Sequence, residues 1–490
     1  MITRILLVCT LLAGIAPLRA QTLLPITLDE AITMARTNSV DAAVALNRLR
    51  TSYWEYRTFR ADLLPEVSFN ATLPSYRKNY SAYQLDDGSY TFVRNNFLQL
   101  NGEVSVTQSI WPTGGTLSLN TSLDYMKQLS GPRSSRYMSV PVALTLSQPI
   151  FGTNHTKWSR RIEPVRYEEA KAEFISESET VAMKAISYYF NLLIGKEQVK
   201  IAAQNLDNAT KLYEVARAKR EMGQISENDL LQLELNLLDA RATHTNSLSD
   251  MKSQMFQLRS FLGLGDDVEI DPSLPVNVPD VLIPYSDALD RALANNSFSK
   301  NIRRRQLEAD YEVAKARGER REITLFAQVG LTGTAEAIRN AYDPLKDNQV
   351  VEIGFKVPIL DWGKRAGKVK VAQSNREVVE GQLRLENMNF RQDIFVLVER
   401  FNNQREQVAL SSKADAIALR RYDTNVQTFM VGKISVLDLN DSQVKKDESR
   451  RDYIDQLFKY WYYYYQLRSL TLHDYATDTP VGNGEFKMEN

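Results

Sequence analysis

The chain has a single cysteine, Cys9, in 490 residues. Cys9 lies in an opening segment where Arg4 precedes the apolar stretch 5–16 and Leu18-Arg19-Ala20 precedes Gln21. That is the pattern of a secretory signal, and it predicts cleavage after Ala20. The remaining chain then carries no thiol, which excludes disulfides and cysteine-ligated metals. Histidine is nearly as scarce, and His155, His244 and His473 lack the spacing of a metal site. No nucleophile elbow, phosphate loop, zinc motif or dinucleotide fingerprint occurs. The expectation is no enzyme, no cofactor and no metal. Basic and acidic residues number 60 each, so no excess of one sign points to nucleic acid. Beyond residue 20 there is no run of eighteen apolar residues. A helical membrane span is thereby excluded, whereas a β-barrel, whose strands give weaker signals, is not.

What the sequence does contain is itself, twice. Gly223-Gln224-Ile225-Ser226-Glu227-Asn228-Asp229-Leu230 matches Gly432-Lys433-Ile434-Ser435-Val436-Leu437-Asp438-Leu439, 209 residues on. Pro149-Ile150 and Pro358-Ile359 stand at the same offset, as do Leu258-Arg259-Ser260 and Leu467-Arg468-Ser469. Repetition at one spacing predicts two copies of one unit. Earlier in each copy Ala31, Ala35 and Asn38 parallel Ala288, Ala292 and Asn295 at an offset of 257, so the first copy holds 48 additional residues before its Pro-Ile.

Each copy reads as a short helix, alternating strands, one very long helix, a tight turn and a returning helix. The long helices are rich in Ala, Glu, Lys, Arg and Leu, and each ends at a glycine, the usual left-handed helix stop. At about 1.5 Å per residue, a helix of roughly 65 residues spans about 100 Å. A return of roughly 37 residues and the helix before the strands together nearly match that length. Helices of this kind have no compact core of their own; they pack side by side along a wall, and a closed wall is a tube.

The strands alternate with period two. Val67, Phe69, Ala71 and Leu73 alternate with polar residues, as do Leu98, Leu100, Val104 and Val106, and Val351, Ile353, Phe355 and Val357. A half-buried soluble sheet carries the same pattern as a barrel in lipid. The signal segment and the tube-forming helices favour the barrel. The 48 extra residues are themselves a repeat. Val104-Ser105-Val106-Thr107-Gln108-Ser109-Ile110-Trp111 resembles Leu144-Thr145-Leu146-Ser147-Gln148-Pro149-Ile150-Phe151, with the turn Pro112-Thr113-Gly114-Gly115 between them. The first copy thus reads as four strands and the second as two. Tyr76, Tyr80, Tyr83, Tyr90 and Phe92 are read as an outer loop, and so is 126–138.

The two Gly-x-Ile-Ser-x-x-Asp-Leu turns, the junctions Gln148-Pro149-Ile150-Phe151-Gly152 and Pro358-Ile359-Leu360-Asp361-Trp362-Gly363, and the Leu63-Pro65 approach to the first strand resemble the TolC-like outer-membrane factor family. The resemblance covers nearly the whole chain after residue 20 and rests on order, duplication and spacing. It implies a mixed fold: a transmembrane β-barrel plus a long α-helical barrel, in a homotrimeric tunnel. It further implies residence in the outer membrane with the helices in the periplasm, and partnership with a periplasmic adaptor and an inner-membrane pump. The function implied is efflux of small molecules, with type I protein secretion as the alternative; a secreted coiled-coil protein is the alternative of another class. The domain layout is signal 1–20, first repeat 21–262 with strands in 66–149 and hairpin 158–262, and linker 263–284. The second repeat is 285–471 with strands in 323–358 and hairpin 363–471, followed by a tail, 472–490. The extra hairpin departs from the family's two strands per copy. Placed in the wall, it makes about eighteen strands in a trimer instead of twelve; folded at the barrel's base or into its lumen, it does not.

The resemblance also places carboxylates just after the second turn, narrowing the periplasmic mouth. The matching residues are Asp438 and Asp441, three apart on one helix face. Asp438 and Asp229 each also fit a capping box begun by a turn serine, a purely structural role; Asp441 does not. The family's aromatic and arginine partners align with Phe429 and Ile434, so the arginine is missing. The turns Gly223, Gln224, Ile225, Ser226 and Gly432, Lys433, Ile434, Ser435 are the expected adaptor contacts. The run Tyr460-Trp461-Tyr462-Tyr463-Tyr464-Tyr465 is read as packing, not as a ligand platform.

Overall fold

The computed structural model describes residues 22–482 except 130–133, 224, 321–322, 356–359, 431–432 and 435. The signal segment, Gln224, Gly432, Ser435 and the second Pro-Ile pair therefore lie outside the described residues. Strand β1 (Thr22–Ile26) leads to α1 (Leu28–Asn38) and α2 (Val40–Ala61). Four strands follow: β2 (Glu66–Gln84), β3 (Tyr90–Ile110), β4 (Gly115–Gln128) and β5 (Ser135–Ile150). The first long helix, α3 (His155–Glu221), turns into α4 (Glu227–Phe261), and β6 (Val268–Pro272) comes next. Then come α5 (Tyr285–Asn295), α6 (Ser297–Glu319), β7 (Ile323–Ala335), a 3-10 turn at Arg339–Tyr342 and β8 (Lys346–Phe355). The second long helix, α7 (Lys364–Met430), turns into α8 (Val436–Thr471), and the short strands β9 (His473–Asp474) and β10 (Thr479–Pro480) close the described chain. Helices α3 and α7 are 67 residues each, and His155 and Lys364 stand 209 apart. Asn38 Nδ2 donates to Leu262 O at 3.5 Å, and Asn295 Nδ2 donates to Thr471 O at 3.1 Å, the same tie between each short helix and the end of its return helix.

The chain divides into two units. One comprises Arg50–Glu169 and Lys300–Asn387 and contains a six-stranded antiparallel sheet in the order β2-β3-β4-β5-β7-β8. The hairpin β4–β5 lies hydrogen-bonded between β3 and β7, inside the sheet. Directly opposed residues in an antiparallel pair share a face. Val67 opposes Val106, Val106 opposes Leu119, Leu119 opposes Leu144, and Leu144 opposes Val329. Phe69 opposes Val104, and Ala327 opposes Val351 on the same face. The alternation in each strand is thus brought into one apolar face across six strands, and Val67, Phe69, Leu119, Leu144, Val329, Val351 and Ile353 are all exposed on it. The other face is polar and bonds to itself. Ser68 and Ser105 hydroxyls are 2.7 Å apart, and Asn101 Nδ2 donates to Asp124 at 2.9 Å.

Proline inside a strand interrupts the ladder, and this sheet places it at bulges. Pro141 falls where β5 shifts register against both neighbours, and Pro74 falls where β2 shifts against β3. The strands run further than their apolar alternation suggested. Tyr76, Tyr80 and Tyr83 belong to β2, and Tyr90 and Phe92 to β3, not to a loop. Aromatics favour extended backbone, and pairs such as Tyr80 with Arg94 continue the ladder without core burial. The outer loop read over 126–138 shortens likewise, because Tyr125 opposes Tyr137 and Lys127 opposes Ser135.

The other unit comprises Met1–Leu49, Ala170–Ser299 and Met388–Asn490. Its core joins Ala31 and Ala35 of α1, Ala288 and Ala292 of α5, Ile186 and Phe190 of α3, Phe401 of α7, and Leu457 of α8. Tyr460, Tyr464 and Tyr465 from the aromatic run are buried in it. The stretch read as a linker contains β6, which pairs in parallel with β1. Glu179 is buried to 1 % exposure between the guanidiniums of Arg36 and Arg468. Burial pushes its carboxyl above the ordinary range, while the two arginines pull it down. A raised folded-state value makes ionisation oppose folding, so this group's contribution declines as pH rises through that value. Glu179→Gln removes the charge shared by Arg36 and the largely buried Arg468. It should abolish this group's decline in stability with rising pH, read by thermal unfolding of the purified chain across the acidic range. A pH dependence identical to wild type would mean that Glu179 does not titrate with folding.

Candidate functional site

The two hairpin tips are built by helix termination. Helix α3 ends as Gly223 takes φ of 75°, a conformation that costs glycine little. Its amide donates to Arg220 O at 2.9 Å, and Arg220 reaches on to Ile225 O at 3.3 Å. Ser226 O accepts from Leu230 N at 3.3 Å, opening α4. At the second tip Lys433 N donates to Thr428 O at 3.1 Å. Gly223, Ser226 and Lys433 are exposed, and Ile225 and Ile434 are half-exposed.

Asp438 and Asp441 both lie in the first turns of α8, as read from the sequence. Their surroundings differ. Asp438 is exposed, and its carbonyl accepts from Asn425 Nδ2 at 3.5 Å. Asp441 pairs with Arg421 of α7 at 2.7 Å. Arg421 stands eleven residues before Gly432 and Asp441 nine after it, so the two face each other across an antiparallel helical hairpin. The missing arginine at Ile434 therefore does not leave Asp441 uncompensated. Reading the turn alone misses Arg421; counting outward from it finds the pair. Both side chains are about half exposed, so the pair is screened and contributes below about 1 kcal/mol to stability. Its consequence is for local charge.

Behind the tips, polar side chains lock α3 to α7 and α8. Arg450 of α8 pairs with Glu197 at 3.3 Å and with Asp415 at 3.1 Å. Asn205 Nδ2 donates to Asp447 at 3.3 Å, and Asn208 Nδ2 to the Tyr422 hydroxyl at 3.3 Å. Among the described residues no group of three or more His, Cys, Asp or Glu is placed to hold a metal. No described helix is long and apolar enough to cross a membrane.

Residues 31–264 match the family model described as outer membrane efflux protein. That segment is similar to the outer membrane efflux protein family. Solved structures extend the likeness to the fold of almost the entire chain. The CmeC outer membrane channel of Campylobacter jejuni matches with a TM-score of 0.65 at 15 % identity, over 91 % of this chain and 85 % of that one. CusC, whose structures address folding and transmembrane channel formation, matches at 0.63 and 12 % identity, over 91 % of both chains. The Vibrio cholerae outer membrane protein VceC matches at 0.61 and 13 % identity, over 92 % of this chain and 96 % of that one. No curated protein matches in sequence. The likeness in fold extends over about nine-tenths of the chain.

If Asp441 contributes to the narrow end of a channel, Arg421 sets how much of its charge an ion meets. Arg421→Gln should increase block by a multivalent cation several-fold in single-channel recordings, and Asp441→Asn should abolish the increase. Equal block in wild type, Arg421→Gln and Asp441→Asn would place both residues away from the constriction.

Proposed function

We propose that the chain is the outer-membrane channel of a tripartite efflux pump, a homotrimer that carries small molecules from the periplasm to the exterior. The observation that carries this reading is the apolar face continued through all six strands. A face of Val, Leu, Ile and Phe exposed on one side of an antiparallel sheet needs an apolar environment, and a bilayer supplies one. Leu117 to Tyr125 of β4 spans about 26 Å along the strand, or roughly 20 Å at a barrel tilt near 40°. That approaches the apolar band of about 25 Å of outer-membrane barrels.

A sheet in lipid also cannot leave edges open, because each unpaired backbone group there costs several kcal/mol. Among the described residues the outer edges of β2 and β8 have no partner strand. Closure follows when β8 of one copy pairs with β2 of the next. Three copies of six strands make about eighteen, so the additional hairpin belongs to the wall and widens the lumen. In this reading 21–262 and 285–471 are tandem repeats, with the hairpins 158–262 and 363–471 forming a periplasmic helical barrel. Gly223 to Ser226 and Gly432 to Ser435 form the tips that meet a periplasmic adaptor carrying an inner-membrane pump. Asp441 and Asp438 line the mouth.

Ile353→Cys combined in turn with Val67→Cys or Phe69→Cys should yield, on oxidation, covalent dimers and trimers on a denaturing gel. Monomers from every pairing would contradict closure through these edges. Gln224→Cys and Lys433→Cys should stay unlabelled by an impermeant thiol reagent outside intact cells and react once the periplasm is opened. Labelling in intact cells would invert the orientation.

A further inference from the structure

At the end of the sheet where helices join strands, the chain forms a recess of about 630 Å³. It lies beside the exit from β5 and the start of α3, against the end of α6. Its lining includes Lys157, Arg317 and Arg320, together with Phe151 and Trp158, and no carboxylate. In a chain with 60 acidic residues balancing 60 basic ones, three cations around one cavity without an acid is a local departure. Among the described residues none of the three has an ion-pair partner; nearby Lys368 is answered by Glu319 at 3.7 Å. The recess is also rigidly framed. Asn154 Oδ1 accepts from Lys157 N at 2.8 Å, and Asn154 Nδ2 donates to Trp111 O at 2.8 Å. Thr153 Oγ1 donates to Ala314 O at 2.9 Å, and a Cβ on Gly318 would meet that same hydroxyl at 2.1 Å. The close contact lets α6 approach the start of α3. Arg304 with Glu169 at 2.7 Å and Arg166 with Glu308 at 2.9 Å hold the two helices together just behind it.

Around this recess stand exposed aromatics at the same end of the sheet. Phe151 and Trp362 take φ of 63° and 52° where β5 and β8 give way to helices, and Trp111 lies under the Arg160 guanidinium at 4.1 Å. Aromatic rings with cations just beyond an apolar band mark the level of lipid head groups. We propose that the recess binds the phosphodiester of an anionic phospholipid in the periplasmic leaflet of the outer membrane, Arg317 and Arg320 engaging the phosphate and Phe151 the upper acyl chain. This rests on the membrane placement proposed above. Guanidinium groups suit phosphate through paired N–H donors, and Lys157 adds a point charge. The bland role for Arg317 and Arg320 is to complement the C-terminal dipole of α6, which needs no ligand.

The test uses the full chain purified in mild detergent and exchanged into phosphatidylcholine bilayers with or without phosphatidylglycerol. Native mass spectrometry then counts the phosphatidylglycerol retained after washing. Wild type should retain it, Lys157→Gln/Arg317→Gln/Arg320→Gln should retain at least ten-fold less, and Lys157→Arg, which keeps both guanidiniums and the third charge, should keep most of it. Phosphatidylglycerol should raise the thermal midpoint of wild type and not of the glutamine variant. A midpoint lowered equally in both lipids, with retention unchanged, assigns the cations to helix capping and overturns the proposal. Complete displacement by millimolar inorganic phosphate identifies a free-anion site and overturns the lipid. A wild-type chain that incorporates into bilayers yet retains no phosphatidylglycerol overturns the recess alone; one that never incorporates overturns the membrane reading as well.

Discussion

Register is the constraint on which the rest depends. In a strand successive side chains point to opposite faces, so a slip of one residue would exchange the apolar face for the polar one. Six strands here agree on one register, and the chain reaches that agreement despite proline inside β2 and β5. Pro141 sits at a bulge that is matched on both sides of β5, so the strand absorbs a residue without turning its face over. Leu144 therefore still meets Leu119 on one side and Val329 on the other. Loss of that agreement would leave a sheet with leucine and serine mixed on both faces, fit for neither lipid nor a water-filled lumen.

The helical part answers a different demand. A 67-residue helix cannot be stabilised by propensity alone; it needs an apolar stripe or a set of polar locks along its length. Near α1 and α5 the lock is an apolar core in which large side chains such as Phe190, Phe401 and Tyr460 pack against alanines that let helices approach, with Glu179 held between two arginines. Toward the tips apolar burial thins and side-chain bridges replace it, from Arg450 with Glu197 and Asp415 to Arg421 with Asp441. Of these, the half-exposed Arg421–Asp441 bridge nearest the turn is the weak, salt-sensitive one. The second tip is thus held less firmly than the core.

The sequence made the long helices and the stop at Gly223 legible, because composition, length and a left-handed turn all act locally. The extra hairpin was legible for the same reason: a second copy of Val-Ser-Val-Thr-Gln-Ser-Ile-Trp announces a second strand pair. The upper parts of β2 and β3 were not, since Tyr80 and Phe92 pair across the ladder with no buried face to impose alternation. Strands β1 and β6 escaped because they are short and find each other 246 residues apart, from Thr22 to Val268. Asp441 was identified from its turn, whereas its partner Arg421 becomes visible only once two helices are laid side by side. The basic recess was hidden similarly, as Lys157 and Arg320 belong to different repeats.

In the proposed channel one face of the sheet meets lipid and the other meets water. Cys9 is the only native cysteine, so single cysteines report cleanly. Leu119→Cys and Leu144→Cys probe the apolar face, and Asn120→Cys and Ser122→Cys the polar one. Reaction rates with a membrane-impermeant thiol reagent, measured on the chain reconstituted in vesicles, decide the matter. With lipid on the apolar face, modification should be slow at 119 and 144 and fast at 120 and 122. Equal rates at all four positions, or the reverse order, would contradict that placement.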